Sequence, residues 1–245
     1  MDIHKPKPWH GLREFLKEYL IIVVGVLTAL AGEQAVEWLH WRHIATDAEQ
    51  DLATGLQPNL LNAGQFIADA PCQRARLSAL AKALEQPGSA WRGAPLAAPL
   101  GRSDDAATPA VVDGLAPIWS HAAWEAALAN GALLHMPKAR VEGYADLYHF
   151  VELAREREVL MFYAYPQLTA LAIDRTLTAE EKGRYLNVVA EVDQKEQLMV
   201  VLSRLLLQRA HRMGLDPAAD KFALRIAGLR AGRGACVATV KIPLT

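Results

Sequence analysis

Cysteine is scarce in this chain of 245 residues: Cys72 and Cys236 lie far apart and outside any CxxC spacing, which excludes a zinc ribbon and a thioredoxin-type redox pair. An excess of charge of either sign is also missing. The formal net charge is −1 and the sequence pI about 6.7, whereas a general nucleic-acid binder carries a basic face, so no nucleic-acid partner is expected. The sequence holds no G-x-S-x-G, no P-loop, no H-E-x-x-H and no G-x-G-x-x-G after a strand; Gly232-Arg233-Gly234 lacks both the third glycine and the strand-helix setting. β-Branched residues are sparse outside one early stretch, while Ala and Leu dominate and hydrophobic residues reach 52%, so the chain reads as mostly α.

That early stretch, Tyr19 to Trp41, is the strongest feature. Residues 19–32 carry no charge, which is shorter than the roughly 20 apolar residues that a bilayer span needs. The flanks extend it. Phe15 and Leu16 precede the run, Lys17 can snorkel, and Val36, Trp38 and Leu39 follow, which gives a transmembrane helix over 15–39 with Trp38 and Trp41 as an interfacial belt. Two other readings fit the same residues. A cleaved signal peptide would explain the basic start and Ala29-Leu30-Ala31, but the helical pattern continues past Gly32 without a break, and Glu14 and Glu18 sit in the leading region. A buried core helix would need to be covered on every side.

Lys5, Lys7, Arg13 and Lys17 precede the span, whereas Arg42 stands among Asp47, Glu49 and Asp51 after it. The positive-inside rule then places residues 1–14 as a cytoplasmic tail and the remainder outside, in the periplasm if the membrane is a bacterial inner membrane. An oxidising compartment makes a Cys72–Cys236 disulfide an expectation, with two unpaired buried thiols as the alternative. Gly25 with Ala29 and Thr28 with Gly32 form small-xxx-small pairs, so a homo-oligomer, or packing against another membrane protein, is expected through this face.

Beyond the span, 40–70 reads as a long exit helix with a kink near Pro58, and 71–245 as a periplasmic helical domain. Pro71 is expected to open a short separate helix, stopped at Pro87-Gly88. Residues 86–117, rich in Pro and Gly, read as an irregular segment and the first place to seek a binding surface. Ser120 is a candidate cap for the next helix, ended by Asn130-Gly131. A helix with a charged middle at Arg155–Glu158, read as solvated, runs from about Lys138 and is interrupted by Pro166. Thr178 and Glu181 form a capping box for a helix from Ala179 to about Met213, with Tyr185, Val188, Val192, Met199, Leu202 and Leu206 inward. A short helix and a CVATVKI strand or extended C-terminal strap close the pattern.

Chemistry is thin. Glu37 and His40 make one Glu-x-x-His, but a di-iron bundle needs a second copy and further carboxylates, so no metal site, cofactor or catalytic residue is expected. His121, Trp124, Tyr144, Tyr148 and His149 fall on two helices expected to pack together and form a candidate ligand pocket.

FLKEYLIIVVGVLTAL, the Trp-rich exit EWLHWR and DLATGLQPNLLN, with Leu52, Leu56, Pro58 and Asn59, resemble a group of uncharacterised bacterial single-pass envelope proteins with a GVLIAL-type anchor. AAWEAALANGALLHM and YADLY are similar to their later helices. The resemblance implies an uncleaved anchor and a helical extracytoplasmic domain, and no activity. On the sequence the chain is expected to be a non-enzymatic binding, scaffold or accessory subunit, the alternative being a periplasmic small-molecule sensor that signals through a partner.

Overall fold

The computed structural model describes residues 11–93, 96–97, 108–109 and 117–241. The protein is mostly α and is built on one helix, α1, from Leu12 to Leu84. None of residues 12–44 is buried, and this part is long and apolar enough to cross a membrane. From Ala45 onward the same helix becomes the post of a bundle. Leu52, Leu56, Leu60 and Ala63 recur at helical spacing and are fully buried, each leucine contributing about 2 kcal/mol. Over residues 59–64 and 66–69 the burial closes around the whole circumference, because partners pack on several sides.

Pro58 and Pro71 both lie inside α1, which is neither broken at Pro58 nor restarted at Pro71. Both prolines are on the exposed side. A proline removes one N–H donor from the helix, and the Thr54 carbonyl freed by Pro58 belongs to an exposed residue that water can reach. The cost of each proline is met by packing along the rest of the helix rather than by local propensity.

The other helices are α2 (Ala122–Ala129), α3 (Lys138–Ala164), α4 (Ala179–Arg212) and α5 (Ala219–Arg233). Asn130-Gly131 ends α2 with Gly131 at φ 73°, a left-handed position that glycine takes without strain. His121 occupies the cap position of α2 without a side-chain cap bond, while Ser120 Oγ accepts from the Ala122 N–H at 3.4 Å and the Ser120 backbone is held by α1. Asn59 Nδ2 donates to the Ser120 carbonyl at 2.8 Å, and Ser120 N–H donates to Asn59 Oδ1 at 3.0 Å. Asn62 Nδ2 donates to the Ile118 carbonyl at 3.0 Å, so two buried asparagines of α1 secure the chain that enters α2. The Thr178–Glu181 capping box opens α4 as expected, with Glu181 N–H donating to Thr178 Oγ1 at 3.1 Å and Thr178 N–H to Glu181 Oε2 at 2.8 Å. Arg175 and the cap hold the Glu181 carboxyl below its ordinary range, the backbone cap bond being the largest cause.

Sheet is marginal. β1 (Ala90–Trp91) pairs antiparallel with β4 (Arg175–Thr176), and β2 (Leu96–Ala97) with β3 (Thr108–Pro109). Trp91 Nε1 donates to the Leu171 carbonyl at 2.9 Å, which seals the far end of the bundle over Leu80, Leu84, Leu168 and Leu177. CVATVKI forms no described strand; a short 3-10 turn at Gly234–Cys236 leads into an extended strap through Lys241. The rest of the 86–117 segment and residues 1–10 lie outside the described residues.

Gly64 shows how closely α5 approaches the post. A Cβ built there would lie 2.3 Å from Cε2 of Phe222, so the ring occupies the space a side chain would take. Gly64→Leu is expected to destabilise the domain by about 2 kcal/mol through overpacking, seen as a lower denaturation midpoint with an unchanged m-value. Gly25→Leu is the control: a Cβ at Gly25 meets nothing within 4 Å, and the domain's midpoint is expected to stay put.

The charged middle of α3 is only partly solvated. Arg155 donates to Glu152 through Nε at 2.9 Å and through its terminal nitrogen at 2.6 Å. Glu158 is half-buried, and desolvation pushes its carboxyl up to about 7. The folded state therefore holds this proton more tightly than the unfolded chain. Its ionisation lowers stability progressively between about pH 4.5 and pH 7, and the cost is constant above that. Glu158→Gln is expected to raise the melting temperature at pH 8 and leave it unchanged at pH 4, in thermal scans at matched ionic strength.

Candidate functional site

Three elements enclose an open groove of about 1110 Å³ on the bundle's flank: α1 through Ile67, Pro71 and Arg74, α4 through Val200 and Arg204, and the strap through Val240 and Lys241. Each wall has a local cause. On α1 and α4 the lining residues recur every three to four positions and so share one helical face. The strap has no helix to order it and is fastened by contacts. Cys236 is joined to Cys72 by a disulfide, Ala238 N–H donates to the Ala68 carbonyl at 2.8 Å, and an Arg230 terminal nitrogen donates to Thr239 Oγ1 at 3.1 Å.

The floor is apolar and the rim is cationic. Arg74, Arg204 and Lys241 are exposed and form no ion pair among the described residues. Two buried acidic side chains adjoin the lining residues Ala70 and Gln197 in the chain. Asp69 and Arg233, at 2% and 1% side-chain exposure, pair at 2.9 Å between Oδ1 and Nε. Glu196 on α4 accepts a 2.5 Å hydrogen bond from the Tyr165 hydroxyl. Burial pushes the Glu196 carboxyl up, with the Tyr165 bond and the Arg233 charge pulling against it and the Asp69 charge adding to the rise. Burial also pushes the Tyr165 phenol up, with Glu196 adding to it. The groove offers cations to an anion, with no nucleophile-base pair among its walls. Among the described residues no cluster of three His, Cys, Asp or Glu side chains is placed to hold a metal.

The five residues expected to form a pocket are placed otherwise. Tyr148 donates its hydroxyl to the Leu52 carbonyl at 2.8 Å, and Tyr144 donates to the Glu49 carbonyl at 3.3 Å; both rings are core, and burial raises both phenols. Trp124 stacks on Tyr148 at 5.9 Å between ring centroids. His121 is set between Glu125 at 2.8 Å and Glu152 at 3.1 Å, tying α2 to α3. His149 is exposed. These residues hold α2 and α3 onto α1, and none of them lines the groove. The residues named for span packing stay on the outside: Thr28 Oγ1 donates to the Val24 carbonyl at 2.7 Å, and Gly25, Ala29 and Gly32 are exposed.

No protein-family model, curated protein or solved structure matches the chain.

At the foot of the domain, Trp38 and Trp41 stand on successive turns of α1. The Arg42 guanidinium lies 5.2 Å from the Trp38 ring centroid. Trp41 stacks on His135, in the 3-10 turn Ala132–His135 between α2 and α3, with centroids 3.9 Å apart and planes 11° from parallel. These residues, with Pro137 and Glu49, border a second cavity of about 330 Å³. Arg140 of α3 pairs with Glu49, its Nε 2.5 Å from Glu49 Oε1.

Proposed function

We propose that the chain is a single-pass inner-membrane protein with a cytoplasmic amino terminus, whose extracytoplasmic helical domain is a non-enzymatic binding, scaffold or accessory subunit. The continuity of α1 carries this reading: one helix holds the uncharged run 19–32, has no buried residue over 12–44, and is the packed post of the domain from Ala45 to Leu84. Residues 15–39 span about 37 Å at 1.5 Å per residue, enough for a hydrocarbon core of about 30 Å. The Cys72–Cys236 disulfide supports an oxidising compartment for the domain. Lateral pairing of spans through Gly25, Thr28, Ala29 and Gly32 belongs to the same reading. The expected result is a chain that resists alkaline extraction from membranes, keeps its residues before Gly32 by mass spectrometry, and is digested by protease only after the outer membrane is opened. A mature terminus at Gly32 would overturn the anchor.

A second reading, a small-molecule receptor that signals through a partner, is favoured by the groove, whose cationic rim over an apolar floor suits an anionic ligand. Arg74→Gln with Arg204→Gln is expected to leave the fold intact, because both side chains are exposed, and to abolish any thermal shift produced by carboxylate ligands. An equal shift in the double variant would remove this reading.

A further inference from the structure

We infer that the turn between α2 and α3 is a second point of membrane contact, a foot that inserts Leu134 into the lipid interface beside the span. The inference rests on the reading of α1 as a membrane anchor and adds to it a defined seat for the domain. Leu134 is 86% exposed, while its neighbour Ala132 is buried and His135 stacks on Trp41. That stack sets the height of the turn. Trp41 is one turn of helix beyond Trp38 and just past the apolar stretch, where amphipathic rings occupy the headgroup layer. A leucine held beside that ring faces the boundary between headgroups and acyl chains, and its exposure in water becomes burial in lipid. The uncovered residues Val36, Trp38 and Leu39 continue this surface down the span.

The polar groups fit the same placement. Arg42, held over Trp38, presents its guanidinium at the level where lipid phosphates lie. Glu49, the carboxylate bordering the nearby cavity, is neutralised by Arg140. Lys138 and Glu142, at the start of α3, are an i,i+4 pair whose charges cancel. The domain is thus fixed to the bilayer at two points, and rotation about the axis of α1 is restrained.

Ile118 supplies the control. It is as exposed as Leu134, at 85%, but its carbonyl is bonded to Asn62, 21 residues beyond Trp41 and roughly 30 Å higher along α1. Leu134→Cys and Ile118→Cys, each labelled with an environment-sensitive fluorophore while the native disulfide stays oxidised, are placed in phosphatidylcholine nanodiscs as the full chain. The expected result is quenching at residue 134 by a nitroxide on the upper acyl chain, with protection from iodide, and the reverse at residue 118. Trp41→Ala, which removes the stack without touching the turn, is expected to return residue 134 to iodide. Iodide quenching of residue 134 in the unaltered, nanodisc-bound protein would overturn the foot while leaving the anchor standing. Lipid quenching at both positions would also overturn it, because the domain would then lie flat. A chain that does not co-purify with nanodiscs overturns the anchor and the foot together.

Discussion

Arg233→Met is expected to lower the stability of the domain by about 3 to 5 kcal/mol, read from urea denaturation of the detergent-solubilised chain by tryptophan fluorescence. The reason is the environment of its partner. Asp69 lies on the fully enclosed part of α1, and its side chain is 2% exposed; without the guanidinium its charge is left in a low-dielectric interior that water does not reach. Glu196, already pushed up by burial, loses the positive charge that opposes that shift. The double variant Asp69→Leu with Arg233→Met removes both charges and is expected to recover most of the loss, because apolar packing replaces an ion pair whose desolvation offset its attraction. A double variant as unstable as the single one would show that the pair itself, and not the abandoned carboxylate, is what the fold depends on.

Reduction of Cys72–Cys236 is expected to have a comparable effect. The bridge closes a loop with a sequence separation of 164, for which chain entropy alone predicts about 5 kcal/mol, near the top of the usual range of about 2 to 5. The test is the shift in urea midpoint with and without dithiothreitol, checked with Cys72→Ala plus Cys236→Ala. The two effects are coupled. Asp69 and Cys72 are one helical turn apart on α1, and Arg233 and Cys236 are equally close at the end of α5, so covalent and ionic links fasten the same junction. Their losses are expected to add to less than their sum, since opening either link lets water reach the other. The reduced protein is also expected to expose Arg233 to trypsin as the strap detaches, removing one wall of the groove.

The helices were legible in the sequence where spacing and caps agreed. α4 is the clearest case, since Thr178 and Glu181 mark its start and the stripe from Tyr185 to Leu206 marks its inward face. That stripe also contained an unread signal: between Val192 and Met199 the position due on the inward face is Glu196, a carboxylate on a buried row. Pro58 and Pro71 misled in the other direction, because a local rule about broken hydrogen bonds cannot register that both rings face outward from a helix held by its neighbours. Tyr144 and Tyr148 fall on the inward face of α3, as their spacing indicates, and their rings belong to the core. A tyrosine on an apolar stripe is a ligand candidate only while the destination of its hydroxyl is unknown, and here two α1 carbonyls take both. The groove was not legible, since Arg74, Arg204 and Lys241 come together only when α1, α4 and the strap are assembled, and no spacing joins them.

The central position of α1 also sets an order of events during synthesis. Cys72 and the apolar rows of Leu52, Leu56 and Leu60 leave the ribosome well before α4 and the strap that cover them. With a sequence separation of 164 between the two cysteines and translation at roughly 5 to 20 residues per second, the delay is on the order of ten to thirty seconds. On the proposed reading of α1 as an anchor, the half-made chain presents a free thiol and an uncovered hydrophobic ridge outside the membrane during that interval. On that reading, a holding chaperone beside the exit site and an oxidant that acts after Cys236 has arrived are expected to raise the folded yield.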